Sequence, residues 1–142
     1  MVRTESLRDL IGYALRRAQG AVYADFYESL SELDLRPVQY TLLVMVAENP
    51  GASQSDICQA LGIQKANCVP TMGELERRGL ILRKNSPSDA RSYELHLTAK
   101  GKRILRRASE VQASHEKKLI KLIGITGRAQ LLALLGKLTD LK

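Results

Sequence analysis

The sequence predicts a mainly α-helical fold with a small β-wing: a winged helix-turn-helix whose N- and C-terminal helices form a dimerisation layer. Three observations carry this expectation. Two short helical patterns, Gln54–Leu61 stopping at Gly62 and a second run stopping at Gly79, are joined by a tight glycine-containing turn. Leu80-Ile81-Leu82-Arg83 and Tyr93-Glu94-Leu95-His96-Leu97 then alternate with period two around the turn-forming Asn85-Ser86-Pro87-Ser88-Asp89. Finally, both ends of the chain are helical, and the leucine-rich last helix carries apolar residues on more sides than the rest of the chain can cover.

In chain order, residues 5–33 repeat Leu7, Leu10, Ile11, Ala14, Leu15, Ala18, Val22 and Phe26 at steps of three and four, which predicts one long helix. Asp34-Leu35-Arg36-Pro37 breaks it, and Pro37 suits the first turn of a central apolar helix ending at Glu48. Ser53 and Asp56 read as a capping box opening the first short helix. The second carries Cys68, Met72 and Leu75 on one side, with Pro70 far enough inside to remove a backbone bond and threaten a kink. Thr98 caps a helix from Ala99 to about Ile123, Gly124-Ile125-Thr126 forms a joint, and residues 127–141 make a leucine-rich last helix. The bland reading of that end is a loosely covered tail; the sharper one is a helix shared with a second subunit. One domain therefore spans 1–142, with 1–36 and 99–142 as dimerisation helices and 37–98 as the DNA-binding region.

The net charge of +7 is not spread evenly. Residues 1–36 hold five Lys and Arg against six Asp and Glu, residues 37–98 six against six, and residues 99–142 eleven against three. The excess therefore sits at the C-terminal end, and the segment expected to read DNA is neutral. Met1-Val2-Arg3-Thr4-Glu5 lacks the apolar core of a secretory signal, and no apolar run is read as membrane-spanning, so a cytoplasmic location is expected. Cys58 and Cys68 fall at apolar helix positions and are expected to be buried, too few for a disulfide framework or a zinc site. His115 reads as a core or dimer-contact residue and His96 as exposed. No glycine-rich phosphate loop, nucleophile elbow or metal-ligand spacing points to an enzyme, a cofactor or a metal.

The runs Leu75-Glu76-Arg77-Arg78-Gly79-Leu80-Ile81, Asp89-Ala90-Arg91-Ser92 and Leu95-His96-Leu97-Thr98-Ala99-Lys100-Gly101, with Leu35-Arg36-Pro37-Val38-Gln39-Tyr40 upstream, resemble the MarR family of bacterial transcription regulators. The family pattern there is L-E-x-R-G-L-[IV], D-x-R-S, L-T-x-x-G and L-x-P-x-x-[FY]. The resemblance covers nearly the whole chain. It implies a homodimer, a recognition helix in the major groove, a wing arginine in the minor groove and, in many members, a small anionic or phenolic ligand that releases the DNA. The stretch Ile63–Pro70 is similar to members that govern breakdown of hydroxycinnamates and other aromatic acids.

On this basis Gln64, Lys65 and Asn67 are expected to meet DNA from the start of the recognition helix, Asn67 and Gln64 having the geometry for adenine. A plain helix cap is the alternative for Gln64. The flat, apolar face of Val69, Pro70 and Gly73 shifts specificity toward thymine methyls and DNA shape. Arg91 suits the narrow minor groove, while Arg83 and Lys84 are phosphate contacts or a solvated strand end. Asp89 resembles the family's wing-orienting acid and is expected to pair with Arg77 or Arg78. Tyr13, Tyr27 and Tyr40 with Arg16, Arg17 and Arg36 suggest a pocket for an aromatic acid or its coenzyme A thioester, or else aromatic core packing. The run Lys100, Lys102, Arg103, Arg106, Arg107 reads as a solvated face, a phosphate contact or an anion site. The expected function is a repressor that leaves an inverted-repeat operator when a ligand binds. The competing readings are a non-specific architectural DNA protein and an enzyme or adaptor built on the same scaffold.

Overall fold

The computed structural model describes residues 1–89 and 91–142, so Ala90 of the D-x-R-S motif lies outside the described residues. The order is a 3-10 turn at Glu5–Leu7, α1 (Ile11–Leu30), a 3-10 turn at Ser31–Leu33, α2 (Pro37–Glu48), α3 (Gln54–Ala60), α4 (Lys65–Arg77), β1 (Ile81–Asn85), β2 (Tyr93–Leu97) and α5 (Ala99–Thr139). The long first helix expected over 5–33 is thus shortened at both ends. At its C-terminal end Asp34 takes a left-handed conformation at φ 52° and closes the turn, its N–H donating to the Ser31 carbonyl at 3.0 Å.

Met1–Ala108 forms one compact unit and Ser109–Lys142 another. The first unit is built around α2, whose Leu42, Leu43 and Val46 are buried together with Leu30, Leu35, Ile57, Met72, Leu75, Leu80, Ile81 and Leu95 from the elements around it. Gln39 is buried too, and its side-chain oxygen accepts the Arg36 N–H at 2.9 Å, which satisfies a helix-start donor from within the core. The Ser53 hydroxyl accepts the Asp56 N–H at 3.1 Å and opens α3 as its sequence predicts.

Both short helices stop in the same way. Gly62 (φ 66°) and Gly79 (φ 72°) occupy left-handed positions that a β-carbon would strain. The residue after each closes the helix end, Ile63 N–H onto the Cys58 carbonyl and Leu80 N–H onto the Leu75 carbonyl. The chain is therefore turned sharply between α3 and α4 and again into the wing. Pro70 lies inside α4, yet Lys65–Arg77 runs as one helix. One missing amide bond leaves the flanking turns intact.

β1 and β2 pair antiparallel with Ile81 opposite Leu97 and Asn85 opposite Tyr93. Gly51 and Ala52 add backbone bonds to Leu95, so the segment before α3 covers the other edge of β2. Thr98 caps α5, accepting the Gly101 N–H at 2.9 Å while its own hydroxyl donates to the Gly79 carbonyl at 2.6 Å. Gly101 lies so close to Leu80 that a β-carbon there would overlap the Leu80 carbonyl oxygen.

α5 is two helices in one: Gly124 has non-helical angles (φ 79°, ψ 164°) at the expected joint. In the second unit Arg128 donates to Glu116 at 2.7 Å across that joint. One 18-residue window of α5 reaches a mean hydropathy of 1.4 and is long and apolar enough to cross a membrane by composition. The expectation that no stretch is so apolar is corrected here.

Candidate nucleic-acid interface

Gln64, Lys65, Ala66 and Asn67 are exposed at the start of α4. Gln64 holds the N-cap position with extended backbone, but its side chain makes no capping bond. Its carbonyl accepts the Asn67 N–H at 2.9 Å and the Cys68 N–H at 3.0 Å, leaving the side-chain amide directed by neither. An α-helix start with exposed amide side chains is sized for base edges in a major groove. Cys68, Met72 and Leu75 bury the opposite face, which fixes which residues of α4 look outward. Among those, Pro70 is exposed and Val69 half-buried, an uncharged surface.

At the wing tip, the Asp89 carboxylate accepts the backbone N–H of Arg91 at 2.9 Å, and the Asp89 carbonyl accepts the Ser92 N–H at 3.1 Å. Asp89 therefore shapes the turn that carries Arg91, whose side chain is exposed. Among the described residues no ion pair joins Asp89 to Arg77 or Arg78, which departs from the expected pairing. The acid finds a donor two residues on, the local bond that Asp favours in turns. Arg78 instead donates to the carbonyls of Asp34 at 2.6 Å and Leu33 at 3.3 Å, tying the end of α4 to the turn before α2.

Arg83 is engaged within the chain. Its guanidinium pairs with Glu76 at 2.8 Å and donates to Gln54 at 3.0 Å, linking the wing to α3 and α4. Lys84, the next residue, is exposed. His96 is half-buried rather than exposed, with Glu94 3.1 Å from its Nε2. A strand of only five residues held on both edges leaves little of this face open.

The six residues expected around a ligand are divided. Tyr27 and Arg36 line a small opening of 130 Å³ with Gln39 and Glu74. Tyr40 packs edge-on against Phe26, ring centroids 5.6 Å apart, as core packing would have it. Arg16 and Arg17 are exposed on α1, with Tyr13 half-buried. A larger cleft of 480 Å³, unforeseen from the sequence, has Val46, Leu97 and Leu105 as apolar lining and His96, Lys102 and Arg106 as polar groups. Two members of the basic run thereby face one cavity, whereas Lys100 donates to the Arg78 carbonyl at 3.1 Å. Only the i, i+4 spacing of Lys102 and Arg106 hinted at it, because the apolar half comes from elements far away in sequence. Among the described residues no three His, Cys, Asp or Glu side chains stand close enough to hold a metal.

Residues 33–92 match the model of the MarR family. Over 134 residues, 94% of this chain and 81% of the relative, the sequence is 31% identical to a Thauera aromatica protein named for transcriptional regulation of the hcr operon. The chain belongs to the MarR family. Among solved structures it is similar to the transcriptional repressor CouR bound to a 23-mer DNA duplex, with 40% identity, a TM-score of 0.93 and 99% of each chain covered. CouR bound to p-coumaroyl-CoA gives 37% identity, a TM-score of 0.91 and the same coverage. The winged helix with its two-stranded wing is thus the MarR fold, and MarR regulators bind DNA rather than catalyse reactions.

Proposed function

We propose that this MarR-family regulator is a homodimeric, sequence-specific repressor, released from an inverted-repeat operator by an aromatic acid or its coenzyme A thioester. The observation that carries the reading is the match over 99% of both chains to one repressor solved with a DNA duplex and also with an aromatic acyl-CoA. In this reading Gln64, Lys65 and Asn67 enter the major groove, Arg91 the minor groove, and Lys84 a phosphate. Asp89 sets the wing turn for Arg91, while Arg78 ties the end of α4 to the turn before α2. The thioester's anionic groups meet Lys102 and Arg106 in the 480 Å³ cleft, and the aromatic end lies toward α1 and α2, where Tyr13, Arg16, Arg17, Tyr27, Arg36 and Tyr40 are carried. A regulator of this kind works where the chromosome is, in the cytoplasm.

The test begins with duplexes selected from a random-sequence library by the purified protein. Selected sequences are expected to share an inverted repeat and to bind at about 10⁻⁸ M, with affinity falling steeply as salt rises. p-Coumaroyl-CoA is expected to raise the melting temperature and displace the duplex, free coenzyme A being the control. A library that yields no consensus would favour the architectural reading, which the scarcity of base-reading side chains on the outer face of α4 supports.

A further inference from the structure

We propose that Cys58 and Cys68 form a reversible redox-modification site that locks the recognition helix to the helix before it, with small-molecule disulfides as its oxidant and small dithiols as its reductant. Cys58 lies in α3 and Cys68 in α4, their Cα atoms 6.0 Å apart, and a disulfide joins them. The sequence alone placed both at apolar positions without pairing them. Their pairing follows from the turn at Gly62, which folds the two helices face to face. In a compartment where thiol pools keep cysteines reduced, a disulfide of this kind is transient and sensing rather than structural.

The two sulfurs are not equally reachable. Cys68 is fully buried, whereas Cys58 also lines an opening of 180 Å³ that Lys65 and Gln59 share. The exchange is therefore ordered. The Cys58 thiolate attacks one sulfur of the small disulfide and expels a thiolate, leaving a mixed disulfide on Cys58. The Cys68 thiolate then attacks the Cys58 sulfur and expels the second small thiolate. Two electrons pass from the protein sulfurs to the small disulfide, and the two protons lost by the cysteines end on the two small thiols. A dithiol reverses both steps.

The consequence lies in the recognition helix. Two unbonded sulfurs need roughly 3.5–4 Å, against about 2.05 Å when bonded. Reduction thus requires α3 and α4 to give by on the order of 1 Å, or a thiol to rotate in a packed core. Cys68 directly follows Asn67, so this adjustment falls at the turn that carries Gln64, Lys65 and Asn67. The oxidised form presents that turn already ordered and binds DNA more tightly. This consequence rests on the DNA-binding reading above; the existence of the redox site does not.

The experiment uses the intact protein treated with either oxidised glutathione or dithiothreitol, freed of the reagent at acid pH, then unfolded in guanidinium, alkylated with iodoacetamide and weighed. No label is expected after oxidation and two after reduction, with the 58–68 link recovered by digestion and all chains at monomer mass on a non-reducing denaturing gel. Fluorescence anisotropy on the selected duplex is expected to show roughly three- to tenfold tighter binding by the oxidised form. C58S is expected to bind like the reduced form in both buffers. Two labels in both buffers, or a link between chains, would overturn the site. Equal affinity in the two states would overturn the lock. If neither state binds any duplex, the regulator reading fails while the label count still decides the redox site.

Discussion

Single side chains divide into those that shape the interface and those that would touch DNA. Arg91 is exposed, and among the described residues only its backbone N–H is bonded, to Asp89. Arg91→Ala is expected to weaken operator binding by about 1–3 kcal/mol while thermal unfolding stays within ~0.5 kcal/mol of the parent, read by anisotropy and by melting. Asn67→Ala is expected to lose a similar amount, with relaxed preference at one base pair. Gly101 has the opposite profile. It touches no DNA in this reading, but Gly101→Ala drives a methyl into the Leu80 carbonyl where β1 begins and α5 opens. A loss of about 1–3 kcal/mol in urea unfolding is expected, since neither backbone can retreat without breaking the Thr98 cap. Both residues were visible in the sequence through the family pattern. Their reasons were not: the L-T-x-x-G glycine is a matter of backbone clearance, which only the packed structure displays.

The elements show where sequence reasoning runs well and where it stops. Helix ends were legible because Ser53, Gly62, Gly79, Thr98 and Gly124 act on their own neighbours, through bonds three to five residues away or through local φ. The wing was legible for the same reason, its alternation and turn being local. What escaped were pairings across the fold: Cys58 with Cys68, Arg83 with Glu76 and Gln54, Arg78 with the carbonyls of Leu33 and Asp34, and the cleft shared by α2, β2 and α5. Each joins side chains whose proximity depends on how helices cross, and periodicity says nothing of that. Arg83 gives this a measurable form. Its partly exposed pair with Glu76 stabilises by no more than about 1 kcal/mol, yet it holds the wing against α3 and α4. With its guanidinium already engaged, Arg83→Ala is expected to leave the slope of log K against log salt unchanged. Lys84→Ala is expected to reduce that slope by about one unit, as loss of one phosphate contact would. Binding titrations at four or five salt concentrations separate the two.

At the scale of the molecule, the unsettled surface is apolar. In the first unit Leu10, Ile11, Leu15, Val22 and Tyr23 are exposed; in the second, Leu122, Ile125, Leu131, Leu132, Leu134 and Leu138. Two surroundings could cover so much apolar area: a bilayer, which the hydropathy of α5 permits by composition, or a second copy of the chain. The break at Gly124 argues for the second. Hydrocarbon offers no partner to the amides and carbonyls that an interrupted helix releases, whereas a protein interface or the water beside it does. The ion pair of Arg128 with Glu116 spans the same joint and would also be costly in lipid. A dimer further explains why the charge excess, which lies on residues 99–142, coexists with so many leucines there: cations and apolar residues can occupy different sides of one shared helix. The protein is therefore expected to elute, without detergent and at micromolar concentration, at twice its chain mass of 15.8 kDa in light scattering. Replacing Leu131 and Leu134 together with glutamate is expected to yield single chains, since two carboxylates cannot be desolvated in an apolar interface. Such chains should keep the helical signal of the first unit and lose at least tenfold in operator affinity, because in the proposed reading one winged unit meets only half of the operator. A double variant that remains paired, or that binds the operator as tightly when single, would mean the leucines serve another partner and that the two reading heads are joined elsewhere.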